Sequence, residues 1–185
     1  AIRVFLRYLA AEGRDSSHIL QQLERPKPER SLPKILSRQQ VNQLISAPDP
    51  KSMLFTRDVA ILELLYASGL RASELCDLTF DAVGRMGGAW WLRVPVGKLR
   101  NDRHIPLHPA LVDLLARWPA GHERLLEIDG RPLDRHRVGR IVRRVARAAG
   151  LGHVHPHQLR HTLATQAINR GMRLEAIAAL LGHRS

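Results

Sequence analysis

Three short stretches of the sequence place cationic side chains where they can bind a phosphate group. In SGLRASEL, Arg71 occupies a turn between two apolar helical patterns, where a half-buried guanidinium needs an anionic partner. In HPHQLRHTLAT, His157 and Arg160 share one helical face near a helix N-terminus, an end that attracts phosphate. In LLGH, His183 follows a helix-ending glycine. Taken singly, Arg71 could be a solvated turn residue and His183 a helix cap.

The histidines also allow a metal site to be considered. His161 lies four residues after His157, and His153 and His155 alternate with His157, a spacing that permits zinc ligation. No Glu, Asp or Cys stands nearby to complete a site, and the carboxylate of an HExxH motif is missing. The sequence therefore predicts no metal and no cofactor. A metal-dependent nuclease or a histidine-rich regulator is the less favoured alternative.

The charge of the chain indicates a polyanionic partner. The formal net charge is +12, and residues 131–185 carry eleven basic side chains against two acidic ones. All eleven are arginine, whose planar guanidinium matches phosphate with two hydrogen bonds. A solvated basic face would normally be interleaved with carboxylates. We therefore expect a nucleic acid as the partner.

One helix carries much of this charge. A helix predicted from Asp134 to Ala149 repeats arginine at three- and four-residue spacing, which aligns the side chains in one stripe. The stripe is predicted to lie against the nucleic acid and to contact mostly phosphates, so binding should weaken with salt. Its members are Arg137, Arg140, Arg144 and Arg147.

The elements that must position these residues are mostly helical. Apolar periodicity and end signals predict one helix closed by Gly13 and others over 56–68, 157–169 and 174–181. Ser37 with Gln40, Ser73 and Asp134 are the expected caps. Residues 88–107 predict a β-hairpin, with Pro95 indicating an edge strand. The predicted fold is mainly α with a small antiparallel β-sheet, an α+β class.

Composition excludes several classes of protein. No apolar run approaches the length of a membrane span, and the N-terminal pattern is not that of a signal peptide, so no membrane partner is expected. A single cysteine, Cys76, excludes an internal disulfide framework and suits a reducing cytoplasm. Cys76 is interpreted as a packed core thiol.

Four motifs in a fixed order extend this interpretation: RASEL, a lysine on a hairpin turn, HxLRH, and LGH. In this order the sequence resembles the tyrosine recombinases, the phage-integrase superfamily, and most of all their Xer-type and integron- or transposon-associated branch. The resemblance covers essentially the whole chain from the linker to residue 185. HxxR alone is a weak pattern, whereas four ordered motifs at family-like separations are a strong one.

The resemblance implies a set of catalytic residues: Arg71, Lys98, His157, Arg160 and His183. It implies that Glu74 braces Arg71, that Lys98 protonates the leaving oxygen and that His157 can accept the proton of the nucleophile. Leu99 stands where the family turn usually has a second glycine, which is a departure beside Lys98. The other three lysines of the chain lie in the linker or in a Pro-Asp-Pro loop.

The resemblance also implies the reaction and the domain organisation. In the family a tyrosine attacks a phosphodiester of a double-stranded DNA target site and forms a 3′-phosphotyrosine without metal or ATP. The resemblance implies that the full-length protein works as a tetramer on this DNA, in the bacterial cytoplasm and associated with the nucleoid. Residues 1–23 would be the last helix of an incomplete N-terminal core-binding, SAM-like domain, and 24–34 a linker. Residues 35–185 would be the catalytic domain, without its C-terminal segment.

The nucleophilic tyrosine is expected to be absent from this chain. In the family it follows the LGH histidine by about nine residues, which places it beyond Ser185. Tyr8 lies in the first helix and Tyr66 inside an apolar helix, and both are interpreted as packing residues. The chain is thus predicted to be an inactive fragment of a recombinase. The alternative is a catalytically dead DNA-binding protein of the same fold.

The gene sequence tests the first of these alternatives. We expect a tyrosine codon within about ten codons after that of Ser185, because the site otherwise lacks an attacking group. Sequencing the gene past this point is sufficient. A natural stop codon directly after Ser185 would contradict the recombinase interpretation and favour the DNA-binding one.

Overall fold

The computed structural model describes residues 2–14, 19, 34–95, 102–117, 124–128 and 130–182. The chain divides into two units, Ala1–Leu32 and Pro33–Ser185. The first contains helix α1 (Ile2–Ala11), which is closed by Gly13 as predicted. In this helix Leu6 is buried and Tyr8 is 59% exposed.

The second unit is mainly helical with small antiparallel sheets, and the predicted fold class is confirmed. No helix within the ranges just given is long and apolar enough to cross a membrane. The helices are α2 (Arg38–Ile45), α3 (Phe55–Ser68), α4 (Ala72–Asp77), α5 (Pro109–Ala116), α6 (Arg135–Ala148), α7 (Pro156–Asn169) and α8 (Leu174–Leu181).

Most helix ends follow local signals. The Ser37 hydroxyl accepts from the Gln40 backbone N–H at 3.1 Å and the Gln40 side chain accepts from the Ser37 N–H at 2.9 Å, which confirms the capping box. Asp134 caps α6 as predicted. Ser73 as a cap is wrong: α4 begins at Ala72, and the carboxylate of Glu74 accepts the N–H of Arg71 instead.

The predicted hairpin belongs to a three-stranded antiparallel sheet of β1 (Val83–Met86), β2 (Ala89–Val94) and β3 (Arg103–Leu107). The strand β2 lies in the middle, so the edge position inferred from Pro95 is wrong, and Pro95 lies just past the strand. The missed strand β1 is short and mostly exposed, which leaves no apolar alternation to detect. A second sheet pairs β4 (Glu127–Ile128) with β5 (Arg131–Pro132).

Helix α3 forms the centre of the core, and its side chains Ile61, Leu62, Leu64 and Leu65 are fully buried. It contacts α5, α6, α7 and β3. A buried carboxylate ties it to α6, because Asp58 accepts from Arg57 at 2.7 Å with one oxygen and from Arg144 with the other. The hydroxyl of Thr162 in α7 accepts the Leu36 N–H at 3.0 Å, which holds the segment before α2.

Gly69 gives a stability test of the helix end that precedes Arg71. Its φ of 61° is left-handed, and a Cβ there would lie 2.7 Å from a methyl carbon of Leu181 and 2.9 Å from one of Leu163. Gly69→Ala should lower the free energy of unfolding by about 2–4 kcal/mol, from backbone strain and overpacking together. Urea denaturation of the chain measures this loss.

Gly171→Ala is the matched control, because Gly171 is also left-handed, at φ 78°, but has open space around its Cβ position. Its loss should be limited to the backbone term, about 1 kcal/mol. Equal losses for the two variants would contradict close packing of Gly69 against α7 and α8.

Candidate active site

Glu74 is the carboxylate on which the site is built. Its Oε1 accepts from Arg71 Nη1 at 2.7 Å and from Arg103 Nη1 at 3.1 Å. Its Oε2 accepts from the Arg71 backbone N–H at 2.7 Å and from Arg103 Nη2 at 2.7 Å. One carboxylate in the first turn of α4 therefore binds two arginines, from the turn before that helix and from β3.

The sequence interpretation missed Arg103. The signal that could have found it is the alternation of β3, in which Arg103, Ile105 and Leu107 point to the buried side and His104 and Pro106 are exposed. An arginine in phase with two buried aliphatic residues needs a buried anion. The partner, Glu74, is far away in the sequence, so local patterns cannot identify it.

The electrostatics of Glu74 follow from these four bonds. Burial alone would raise the pKa of its carboxyl, but the hydrogen bonds from Arg103 and Arg71 and the charge of Arg103 outweigh burial and lower the pKa to about 2. Glu74 is therefore ionised at every pH at which the protein is expected to work. It cannot serve as a proton donor in the site.

Arg160 lies beneath the surface, with only 3% of the residue exposed. Its Nη1 donates to the carbonyl oxygen of Gly69 at 2.6 Å and its Nη2 to that of Leu181 at 2.6 Å. These carbonyls end α3 and α8, so the guanidinium joins two helix C-termini, which favour a cation. Burial first, and the neighbouring charge of Arg71 second, lower the pKa of Arg160 to about 10, and it stays charged at neutral pH.

His157 is the second residue of α7 and is exposed, so the structure places it at the helix N-terminus that the sequence predicted. Its ring meets that of His161 edge to face, with the centroids 4.2 Å apart. Burial of the imidazole and the charges of His161 and Arg160 lower the pKa of His157, which favours the neutral form. A neutral imidazole can accept a proton.

Arg71 and His157 face a cleft of about 460 Å³ between the start of α4, residues 135–143 of α6 and the start of α7. Three arginines and three histidines line it, and the described lining includes no carboxylate. Such a cleft attracts an anion. Its charged lining consists of Arg71, Arg135, His136, Arg143, His155 and His157.

The arginine stripe predicted on α6 is divided by the structure. Arg144 is bound to Asp58 although its side chain stays 52% exposed, and Arg137 lies 3.9 Å from Asp134. Arg140 and Arg147 are also exposed. Two other arginines of α6 line the cleft instead.

These two cleft arginines are Arg135 and Arg143, and Gly139 lies between them on the same face of the helix. Each arginine is four residues from Gly139, so all three share one side of α6. The spacing is visible in the sequence, but the predicted stripe did not include Arg135 and Arg143.

Lys98 and His183 lie outside the described residues. The neighbouring Gly182 is described: it ends α8 with φ 64°, and a Cβ there would lie 2.7 Å from Arg103 Nη1.

Of the two tyrosines, Tyr66 donates its hydroxyl to Gln166 at 2.6 Å and lines a different cavity from that of Arg71. No cluster of His, Cys, Asp or Glu within the described ranges could hold a metal ion.

Comparison with known proteins identifies the family of the chain. Residues 34–185 match the model of the phage integrase family, and the chain belongs to that family. The chain is 35% identical over 194 residues to the tyrosine recombinase XerC of Corynebacterium efficiens and 36% identical over 203 residues to the tyrosine recombinase XerD of Xanthomonas axonopodis. All of this chain aligns in both cases, and it spans 62% and 66% of those relatives, less than two thirds of their length.

Solved structures share the fold. A crystal structure of XerA recombinase has a TM-score of 0.72 at 27% identity, covering 96% of this chain and 64% of that one. A lambda integrase tetramer bound to a Holliday junction has a TM-score of 0.73 at 20% identity, covering 98% of this chain and 55% of that one.

The low pKa of Glu74 predicts a pH-dependent stability difference between the wild-type chain and Glu74→Gln. Because the pKa lies below the ordinary 4.5, the ionised carboxylate stabilises the fold fully above about pH 4.5 and loses this contribution as the pH falls toward 2. The variant cannot ionise, so the wild-type advantage in unfolding free energy should be constant at neutral pH and shrink below pH 4.5. Urea denaturation at several pH values measures it, and a pH-independent difference would contradict the pairing.

Proposed function

We propose that this chain forms the catalytic centre of a site-specific tyrosine recombinase that breaks and rejoins double-stranded DNA. The observation that carries the proposal is the charge balance of the arginine cluster that includes Arg71, which lines the cleft. The charges of Arg71, Arg103 and Glu74 all act on the pKa of Arg160, and among these described neighbours Glu74 is the only carboxylate. A bound anion would balance the surplus positive charge of these guanidinium groups. A DNA phosphodiester has the negative charge and the oxygen acceptors to do this.

The chemistry uses these groups without a metal. A tyrosine oxygen attacks phosphorus, the bond to the 5′-oxygen breaks, and the products are a 3′-phosphotyrosine and a free 5′-hydroxyl. Arg71 and Arg160 stabilise the charge that develops on the non-bridging oxygens, in the place that metal ions take in other phosphoryl-transfer enzymes. His183 adds a further donor in this role.

Proton transfers are assigned to the remaining groups. His157, favoured in its neutral form, accepts the tyrosine proton, and Lys98 protonates the departing 5′-oxygen. Glu74 orients Arg71 and transfers no proton, because its pKa of about 2 keeps it ionised. The tyrosine itself lies outside residues 1–185 in this proposal, since Tyr66 is hydrogen-bonded to Gln166 away from the cleft.

The partners follow from the same surface. Arg135 and Arg143 line the cleft, and Arg140 and Arg147 extend the positive charge along α6, so the duplex is proposed to run across this helix. Arg137 and Arg144 contribute less because each has an intramolecular carboxylate partner. The tetrameric lambda integrase on a Holliday junction supports assembly of the full-length protein as a tetramer on DNA, and hence association with the bacterial nucleoid.

The domain assignment is part of the proposal. Residues 35–185 form the catalytic domain, 24–34 the linker, and 1–23 the last helix of a core-binding DNA-binding domain. Support comes from the family match over residues 34–185 and from the separation of the chain into two units near residue 32.

Covalent capture tests the function even though the target DNA site is unknown. The full-length gene product is expressed in its own host, the cells are lysed in denaturing detergent, and DNA that stays attached to the purified protein is sequenced. A recombinase should yield protein joined through phosphotyrosine to one class of DNA site. DNA that binds natively but never becomes attached would overturn the enzyme proposal and favour the catalytically dead DNA-binding protein.

Arg71→Ala should then separate catalysis from binding. With the recovered DNA, the rate of adduct formation should fall about 10²–10³-fold, since one donor to the transition state is lost. Duplex affinity should change little, because several other arginines remain. Arg85→Ala is the control. Arg85, on β1, lies over the ring of Trp90 on β2, outside the cleft. Its loss should alter neither the rate of adduct formation nor the affinity for the duplex. Equal loss of affinity and rate in Arg71→Ala would contradict a catalytic role.

A further inference from the structure

Arg103 is a buried residue that links separate parts of the site. Its side chain is 7% exposed, and both of its terminal nitrogens donate to Glu74, at 3.1 and 2.7 Å. Arg71, on the other side of the same carboxylate, has a side chain that is 48% exposed. The two arginines are therefore not equivalent: Arg71 is open to a ligand in the cleft, whereas Arg103 supports Glu74 from within the protein.

The geometry makes Glu74 depend on Arg103 for its orientation. Each Glu74 oxygen accepts one hydrogen bond from Arg103 and one from Arg71, so the paired contact with Arg103 fixes the plane of the carboxylate. Because the backbone N–H and the guanidinium of Arg71 both donate to these oxygens, the orientation of the carboxylate also sets the orientation of Arg71. Without Arg103, the carboxylate would be free to rotate and to hold Arg71 in other directions.

Arg103 also touches the end of α8. The Cβ position of Gly182 is 2.7 Å from Arg103 Nη1 and 3.5 Å from its Cδ and Cζ, so the bare backbone of Gly182 packs against the guanidinium. The preceding carbonyl, that of Leu181, accepts from Arg160. The last turn of α8, which leads directly to His183, therefore contacts both buried arginines.

One atom of Arg103, its Nε, lowers the stability of the folded protein. Its Nε is buried and has no hydrogen-bond partner in the part of the chain that the structure describes. A buried unpaired donor lowers stability, and an aliphatic side chain in phase with Ile105 and Leu107 would avoid that loss. The guanidinium thus has a use other than packing.

We propose that Arg103 is a positioning residue. It holds Glu74, and through Glu74 it holds Arg71, in the orientation that receives the scissile phosphate. Its contact with Gly182 also fixes the end of α8 next to this pair of residues. The proposal rests on the proposed recombinase function. It concerns a residue that touches neither DNA nor the reacting atoms, so its loss should affect the rate of the chemical step and not the affinity for DNA.

The test is a double-mutant cycle in the full-length protein on its own DNA site. Arg103→Gln should lower the single-turnover rate of adduct formation on the order of 10²-fold, as expected for a misplaced catalytic group. The dissociation constant for the duplex should stay unchanged. In the Glu74→Gln background the same substitution should have a much smaller effect, because Arg103 acts mainly through Glu74, and the remainder measures its contact with the end of α8.

Control and rescue variants exclude a merely structural role. Arg124→Gln removes a partly buried arginine that donates to the Asp77 carbonyl at 2.8 Å, at the other end of α4, and should leave the rate unchanged. Arg103→Lys keeps the charge but cannot pair with both oxygens, and its rate should lie between those of the wild type and Arg103→Gln. If Arg103→Gln does not fold, Arg103→Lys carries the same comparison.

A second measurement separates failure of this proposal from failure of the proposed function. Carboxyl NMR titration of the 185-residue chain should give a Glu74 pKa near 2 in the wild type and a value closer to 4.5 in Arg103→Gln or Arg103→Lys. A wild-type protein that never forms an adduct would overturn the recombinase. An active wild type with an equally fast Arg103 variant, effects that add in the cycle, or an unchanged Glu74 titration would each overturn the positioning role alone.

Discussion

The site depends on one shared carboxylate. Glu74 binds Arg71 and Arg103 at once, and the buried Arg160 lies close enough for all three charges to act on its pKa. Among the described residues, one carboxylate, that of Glu74, lies beside three guanidinium groups, so the cluster carries a surplus of positive charge. Because the positive groups are held in place before any ligand arrives, little reorganisation is needed when a phosphate enters, which is the condition for strong electrostatic stabilisation of a transition state.

The fold brings this cluster together by joining helix ends to a strand. The turn after α3 places Arg71, α4 begins with Glu74 in its first turn, and β3 supplies Arg103. Arg160 then ties α7 to the last carbonyls of α3 and α8 through the oxygens of Gly69 and Leu181. Glycines close both of these helices in a left-handed conformation. Catalytic positioning and helix termination are therefore built from the same contacts.

Local patterns predicted much of this arrangement, because caps, apolar periodicity and left-handed glycines act over a few residues. Such signals predicted the capping box at Ser37, the N-cap at Asp134 and the helix that begins at Pro156. Long-range pairing did not follow: Arg103 with Glu74 and Arg144 with Asp58 join segments far apart in the chain. Strand β1 was missed for lack of alternation, and the roles assigned through family motifs stay predictions.

A crystal structure of this chain bound to its duplex would show directly whether a DNA phosphate completes the arginine cluster. We expect one backbone phosphate in the cleft, within hydrogen-bond distance of Arg71, His157 and Arg160, with Glu74 still bound to Arg103. A duplex that crosses another surface, with no phosphate in the cleft and Arg71 contacting only Glu74, would contradict it.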